Sequence, residues 1–199
     1  MNNAAQSLAQ FRADAVVVGG SAGALEVLSK LLPGLPATSQ VPVIVVVHLA
    51  PRRPSLLPEL FARRCQLPVR EPYDKQPVEP GIWFAPPDYH LLIEANHCFA
   101  LSIDAPVKFS RPSIDVLFES AARVYGAGLL GVLLTGANDD GMLGACVIRK
   151  LGGVLAVQDP DTAEAQEMPK AAIRRAAPQF VGTVEELASM MLMATGGTP

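Results

Sequence analysis

Residues 14–32 of the chain are DAVVVGGSAGALEVLSKLL, and this stretch carries the strongest fold signal. The first five residues are short, branched and apolar and stop at Gly19-Gly20, which predicts a buried strand followed by a tight turn. Residues 23–32 carry apolar side chains at helical spacing and end before Pro33-Gly34, which predicts a helix. We therefore expect the chain to begin its core with a strand that turns directly into a helix.

The same alternation of strand and helix continues on both sides of the middle of the chain. We predict further strands at 42–47, 129–134, 153–157 and, at the sheet edge, 179–181. We predict helices at 55–64, 112–125 and 139–151, from Pro169, and after a capping box of Thr183 with Glu186. Apolar strands that alternate with helices predict an α/β fold: a doubly wound, mostly parallel sheet with helices on both faces.

Residues 68–101 depart from this alternation. They contain many prolines and the short β-like runs IWFAP, HLLIEA and HCFALS. Glu94-Ala95-Asn96 is typical of a hairpin turn between two such runs. We expect this part to form a small antiparallel hairpin insertion.

Composition favours one ordinary domain over residues 1–199, with a core at about 14–194 and frayed ends. Half of the residues are hydrophobic and 18% are charged, so the chain can form a core without a disulfide or a metal. The formal net charge is −3, and the densest basic pairs, Arg52-Arg53 and Arg63-Arg64, are too small for a nucleic-acid surface. We therefore expect no nucleic-acid partner.

Cysteines and apolar runs point to a cytoplasmic protein. Cys65, Cys98 and Cys146 are odd in number, widely spaced and free of CxxC spacing, which argues against a disulfide framework or a zinc site. The start of the chain lacks the pattern of a signal peptide. The longest apolar run, 41–47, is far too short to span a bilayer. We expect no membrane insertion.

The segment Gly19-Gly20-Ser21-Ala22-Gly23 matches the G-x-S-x-G pattern of a nucleophile elbow. It follows a predicted buried strand and precedes a predicted helix, whose N-terminal N–H groups favour a nearby oxyanion. The alternative is a phosphate-binding turn of a nucleotide fold. The G-x-G-x-x-G spacing, a Walker lysine and a clear acidic residue after the second strand are all missing. The motif by itself leaves both possibilities open.

His48 comes directly after the strand 42–47, so it lies at a carboxyl strand end, as Ser21 does. Active sites of open α/β sheets gather at that edge. His48 is therefore a better candidate for a general base than His90 or His97, which fall in the middle insertion. A purely structural histidine is the alternative.

A third predicted strand, 129–134, leads into Asp139 and Asp140. Either carboxylate could orient His48 and stabilise its imidazolium form. Both could also serve only as acids at a helix N-terminus, and the two roles are compatible. Spacing does not choose between Asp139 and Asp140.

Six segments in order resemble the catalytic domain of the chemoreceptor glutamate methylesterases, over roughly residues 14–183. They are VVVGGSAGALEVL, VVVHLAP, APPDYHLLI, SRPSIDVLFESAA, GVLLTGANDDGMLGA and QEMPKAAI. The resemblance places the family's nucleophile on Ser21, its histidine on His48 and its aspartate on Asp140, the acid directly before Gly141. The order Ser, His, Asp differs from the Ser, Asp, His order of α/β-hydrolases.

This resemblance implies a serine esterase that hydrolyses methyl esters on glutamyl side chains of chemoreceptors and also deamidates glutamines there. Its partner would be the methylated cytoplasmic region of a receptor, and no metal or organic cofactor is implied. Three features depart from the family pattern. Ala22 replaces a usual threonine, Ala137 replaces a frequent methionine, and only about a dozen residues precede the first strand, where the family usually has a phosphoreceiver domain. Activity without that domain would be constitutive or controlled by a separate regulatory protein.

Further site residues are predicted around the triad. The Ala22 N–H follows the nucleophile and would be the first oxyanion donor, and the loop around Ala137 would supply the second. By resemblance, Arg111 and Ser113 would line the substrate cleft; the alternative is a loop arginine and a helix-start serine. Two rival functions stay open: a non-catalytic sensory binding module of the same fold, and a nucleotide-binding Rossmann-like protein.

Overall fold

The structure is a computed structural model that describes residues 10–48 and 55–198. Its strands are β1 (Ala15–Gly20), β2 (Pro42–Val47), β3 (Val69–Arg70), β4 (Gly81–Phe84), β5 (His90–Ile93), β6 (Phe99–Ser102), β7 (Leu129–Leu133), β8 (Val154–Gln158) and β9 (Phe180–Gly182). Its α-helices are α1 (Ala24–Leu31), α2 (Leu57–Ala62), α3 (Ile114–Tyr125), α4 (Met142–Lys150), α5 (Glu167–Ala176) and α6 (Val184–Ala194). No helix in the described ranges is long and apolar enough to cross a membrane.

Seven strands form one parallel sheet in the order β3-β4-β2-β1-β7-β8-β9. Every residue of β1 and β2 is buried, as expected for strands with helices on both faces. Successive side chains alternate between two cores: Val16 and Val18 pack in the core that contains Leu28 of α1, whereas Val17 packs in the core that contains Phe118 of α3. The predicted doubly wound parallel sheet is confirmed.

The middle of the chain contains both a correct and a wrong prediction. β5 and β6 pair antiparallel as a separate two-stranded sheet, so the predicted hairpin is confirmed. The rest of the predicted antiparallel insertion is wrong, because β4 pairs with β2 and β3 pairs with β4, both in parallel, so these two strands belong to the main sheet. All four residues of β4 are buried. The large apolar side chains of its run IWF suit a position inside the sheet.

Gly19 and Gly20 were predicted to form the turn after β1 but belong to the strand itself. A side chain on Gly19 would collide with Ile114 at the start of α3, and a Cβ on Gly20 would lie 2.6 Å from the Cβ of Ala24 in α1. The two glycines therefore let helices from opposite faces approach the end of β1. As a result, Ser21 is the first residue after the strand.

The last part of the chain follows the prediction closely. The edge strand β9 pairs with β8, and α6 begins with the predicted capping box, in which Thr183 and Glu186 each accept a hydrogen bond from the other's backbone N–H. Helix α5 begins at Glu167, two residues before the predicted start at Pro169. Proline fits there because the first turn of a helix needs no N–H from it.

Candidate active site

Three neighbouring strand ends bring the predicted residues to one edge of the sheet. Gly20 of β1 is in register with Val47 of β2, so Ser21 and His48 follow paired residues. The His48 N–H donates to the Gly20 carbonyl at 3.3 Å, and the Ser21 N–H donates to the carbonyl of Thr135, just after β7, at 2.9 Å. The loop that begins at Thr135 leads to Asp140. The carboxyl ends of these strands therefore form one site, as open α/β sheets generally do.

Asp140 is completely buried, and donors surround its carboxylate. Oδ2 accepts from His48 Nε2 and from the Ile114 N–H, each at 2.8 Å. Oδ1 accepts from Ser113 Oγ at 2.9 Å and from the N–H groups of Asp115 and Gly141 at 3.1 and 3.0 Å. One carboxylate thus holds the histidine and also pairs with free N–H groups at the start of α3.

The surroundings of Asp140 keep this carboxylate charged. Burial by itself raises its pKa, but the hydrogen bonds from His48, from the Ile114 and Asp115 N–H groups and from Ser113 outweigh burial, so the pKa is lowered. The N-terminus of α3 adds the positive end of a helix dipole. The side chain that touches His48 is therefore an anion at neutral pH.

This arrangement also explains a wrong helix boundary. The sequence predicted that α4 begins at Asp139-Asp140, but the helix begins at Met142, with Gly141 as its N-cap at φ 90°. Asp140 bonds to the start of α3 instead of entering α4. Asp139 remains exposed, so the two acids have different surroundings.

The His48 side chain is 12% exposed, and its two ring nitrogens have different partners. Nε2 contacts Asp140, whereas Nδ1 lies 3.3 Å from Ser110 Oγ. Because an ionised carboxylate only accepts hydrogen bonds, Nε2 must carry the proton. In the neutral ring the free lone pair is then on Nδ1, which is the nitrogen available to act as a base.

Ser21 is partly exposed, and its backbone is tied at both ends. Its N–H bonds to Thr135 and its carbonyl accepts from the Ala24 N–H at 3.0 Å. The chain then turns through Gly23, the N-cap of α1 at φ 78°. Among the described residues, the His48 ring bonds to Asp140 and Ser110 and not to the Ser21 hydroxyl. Such contacts are often long before substrate binds.

The predicted oxyanion donors lie in loops at this edge. Ala22 and Ala137 are both exposed, and within the described residues neither N–H donates to a protein acceptor. Thr135 braces the neighbouring backbone, because its Oγ1 lies 2.9 Å from the Ala22 carbonyl and 3.2 Å from that of Ala165. The N–H groups of Ala22, after β1, and of Ala137, after β7, are therefore available as two backbone donors within the described residues.

Ser113 and Arg111 have structural contacts. Ser113 is fully buried, and its hydroxyl points to Asp140 and not to an open cleft. Arg111 donates through Nη1 to the carbonyls of Ile103 and Asp104 at 2.8 and 3.0 Å. These contacts match the alternative of a helix-start serine and a loop arginine, and the substrate-lining role of both residues stays a prediction.

The other two histidines do not join the site. His90 is 2% exposed and lies in β5, where Nδ1 accepts from the Ser113 N–H and Nε2 contacts the Ala105 carbonyl. His97 packs edge-on against the ring of Tyr125. Within residues 10–48 and 55–198 there is also no group of three or more His, Cys, Asp or Glu side chains that could hold a metal ion.

Sequence reasoning missed three residues beside the site: Ser110, Lys108 and Asp115. Lys108 Nζ lies 3.2 Å from carboxylate oxygens of both Asp115 and Asp139, and donates to the Asp139 carbonyl at 2.7 Å. Burial raises the pKa of Asp115, and the charge of Asp140 adds to this rise. Ser110 and Asp115 lie in the family segment SRPSIDVLFESAA, but the segment does not show their roles, because these depend on how the 107–110 turn packs against the loop before Asp140.

A parallel sheet that gathers a serine, a histidine and a buried carboxylate at one edge fits the class of α/β enzymes that use a serine nucleophile. Comparison with known proteins narrows this class. The sequence profile of the CheB methylesterase family matches residues 16–191. The chain belongs to the CheB methylesterase family.

Individual relatives agree with this membership. A protein from Leptospira interrogans is 41% identical over 180 residues, which cover 90% of this chain and 93% of that protein. The protein-glutamate methylesterase/protein-glutamine glutaminase of Trichodesmium erythraeum is 36% identical over 166 residues, which cover 81% of this chain and 47% of that protein. The crystal structure of the Thermotoga maritima CheB methylesterase catalytic domain matches with a TM-score of 0.83 and 30% identity, over 89% of this chain and 98% of that one. The prediction of an esterase family is confirmed, which disfavours the nucleotide-binding alternative.

Proposed function

We propose that this chain is a protein-glutamate methylesterase in which Ser21 is the nucleophile, His48 the general base and Asp140 the residue that orients the base. The observation that carries the proposal is the 2.8 Å contact between His48 Nε2 and the buried Asp140 carboxylate, at the strand edge that Ser21 shares. Membership of the CheB methylesterase family supports the reaction.

The ring contacts specify how the proton moves in this proposal. Ser21 Oγ attacks the carbonyl carbon of the glutamyl methyl ester while its proton passes to His48 Nδ1, since Nε2 is committed to Asp140. The protonated Nδ1 then returns the proton to the leaving methoxide, and methanol departs. Water repeats the sequence on the acyl-enzyme and releases the glutamate side chain. Deamidation of glutamine follows the same steps with ammonia as the leaving group.

Asp140 stabilises the charged ring during these steps. Its pKa is lowered by the donors around it, so it remains an anion while the imidazolium forms beside it. The Ala22 N–H and an N–H of the loop at Ala137 would hold the negative oxygen of the tetrahedral intermediate. One such donor typically lowers the activation free energy by about 3 kcal/mol.

Membership of the family supports a substrate and a setting for this enzyme. Relatives carry the names protein-glutamate methylesterase and protein-glutamine glutaminase, so we assign a protein substrate with glutamyl methyl esters, namely the cytoplasmic region of a chemoreceptor. In this proposal the enzyme acts in the cytoplasm, and the core of its catalytic domain spans about residues 14–194.

Methanol release tests the proposal. Ser21→Ala and Ser189→Ala are compared with the wild type on methylated receptor fragments. Ser189 is the matched control, because it lies on α6 and, among the residues that the structure describes, its hydroxyl bonds only to the Glu185 carbonyl. We expect Ser21→Ala to lose at least about 10³-fold in rate and Ser189→Ala to match the wild type. Equal rates for Ser21→Ala and wild type would overturn the assignment of the nucleophile.

A further inference from the structure

The nitrogen that must act as the base already has a partner. Nε2 of His48 donates to Asp140, so Nδ1 carries the lone pair, and the Ser110 hydroxyl lies 3.3 Å from it. A neutral nitrogen with a lone pair only accepts, so this hydrogen bond runs from the Ser110 O–H to Nδ1. Ser110 therefore occupies the acceptor that the Ser21 hydroxyl needs.

A fixed turn holds Ser110 in this place. Val107 and Ser110 exchange two backbone hydrogen bonds of 3.1 and 2.9 Å, and the two residues between them, Lys108 and Phe109, have φ angles of 47° and 66°. Lys108 ties the turn to the loop before Asp140, because its Nζ donates to the Asp139 carbonyl at 2.7 Å. The turn that presents Ser110 is thus attached to the loop that supplies the acid.

Ser110 is not needed to orient the ring. The bond to the buried Asp140 carboxylate fixes Nε2, and the His48 N–H bonds to the Gly20 carbonyl. What the Ser110 hydroxyl changes is the availability of Nδ1. An imidazole nitrogen has one lone pair in the ring plane, so two hydroxyl groups compete for it.

We propose that Ser110 is an inhibitory residue whose hydroxyl occupies the His48 Nδ1 lone pair in the resting enzyme, and that the Ser21 hydroxyl must displace it before attack. This proposal rests on the proposed function, because it assumes that Ser21 is the nucleophile. It deepens that function, since the resting enzyme is held below its full reactivity by one hydrogen bond.

The first test measures how fast Ser21 reacts with a fluorophosphonate. Ser21 Oγ attacks phosphorus, the P–F bond breaks, fluoride leaves and the Ser21 proton passes to Nδ1. We expect Ser110→Ala to react about fivefold faster than wild type, the factor that corresponds to one neutral hydrogen bond of roughly 1 kcal/mol. Ser110→Thr keeps the hydroxyl and should react like the wild type, as should Ser189→Ala. A Ser110→Ala rate equal to or below that of the wild type overturns the proposal.

The second test does not depend on the nucleophile. The ¹⁵N resonances of the His48 ring are compared between wild type, Ser110→Ala and Ser110→Thr. We expect the Nδ1 resonance to move in Ser110→Ala and to return in Ser110→Thr, while the Nε2 resonance stays in place because Asp140 is unchanged. An Nδ1 resonance that does not respond to loss of the hydroxyl overturns the role of Ser110. Failure of wild-type Ser21 to react in the first test, with a responsive Nδ1 in the second, would instead contradict the proposed function.

Discussion

Replacement of Asp140 by asparagine keeps the shape of the side chain and exchanges one accepting oxygen for a donating NH₂ group. In one orientation the new group faces the N–H donors of His48 and Ile114; in the other it faces those of Asp115 and Gly141. In the first orientation Nε2 of His48 can change from donor to acceptor, so only the Ile114 N–H loses its acceptor; in the second, the N–H groups of Asp115 and Gly141 lose theirs. Hydrogen bonds to a charged group contribute about 1.5–3 kcal/mol each, so Asp140→Asn should lose roughly 1.5–6 kcal/mol of unfolding free energy.

The same change should almost abolish activity. The amide N–H that faces Nε2 favours the ring tautomer with the proton on Nδ1, which removes the base from the nitrogen that needs it. Loss of the correct tautomer in a serine triad lowers kcat by about 10⁴-fold. Denaturant unfolding and methanol release, measured on the same preparation, check the two effects separately.

Low pH provides an internal check on this reasoning. The pKa of Asp140 is lowered in the fold, so its contribution to stability is complete above the ordinary value of 3.8 and is lost as the pH falls through the lowered one. The gap in unfolding free energy between wild type and Asp140→Asn should therefore be full at neutral pH and shrink in acid below about pH 4.

Asp139→Asn is the matched control. Its carboxylate is 53% exposed and pairs with Lys108 at 3.2 Å, so the loss should stay below about 1 kcal/mol. If Asp140→Asn unfolds within about 1 kcal/mol of the wild type, or if its gap to the wild type is the same at all pH values, the assigned hydrogen-bond network is refuted.

Three further substitutions test local features of the fold, namely a close helix contact, a helix cap and a residue with positive φ, each by denaturant unfolding. Gly144→Ala should cost about 1–3 kcal/mol, because the new Cβ would collide with the Phe118 Cβ and lie 3.0 Å from the Asp115 carbonyl oxygen, whereas Gly34→Ala, in open space, should be neutral or stabilising; equal effects would contradict this. Thr183→Ala removes the capping box of α6 and should cost about 1 kcal/mol, and no loss would mean that the cap is dispensable. Phe109→Gly should gain about 0.5–1 kcal/mol, because Phe109 has φ 66° and a fully exposed ring; a loss would show that the ring packs in solution.

The parts of the fold that were predictable are those in which a local pattern and the burial agree. The run PVIVVV is buried along its whole length in β2, and Thr183 with Glu186 caps α6 as the spacing indicates. β4 was misassigned because its parallel pairing with β2 joins residues almost forty positions apart, and nothing in the run IWF encodes the partner. The two glycines at the end of β1 were predicted to form a turn, because the sequence does not show that helices α1 and α3 pack closely against them.

The site shows the same division. The strand-end rule placed Ser21, His48 and an acid at one edge, and family resemblance was needed to choose Asp140 over Asp139. The burial of Asp140 and its bonds at the start of α3 supply a physical reason for that choice. Ser110 lies in the family segment that pointed to Arg111 and Ser113, but its contact with His48 Nδ1 could not be predicted, because it depends on how the turn before α3 folds over the ring.

The sheet ends on both sides in very short strands: β3 has two residues and β9 has three. A sheet edge exposes unpaired backbone groups that can recruit strands from other molecules, and a short edge offers few of them. The candidate active site, by contrast, lies at the centre of the sheet, at the ends of β1, β2 and β7. In evolution the edges can therefore be shortened, covered or joined to another domain without disturbing the chemistry. The short edge strands also protect a concentrated enzyme from strand-to-strand aggregation.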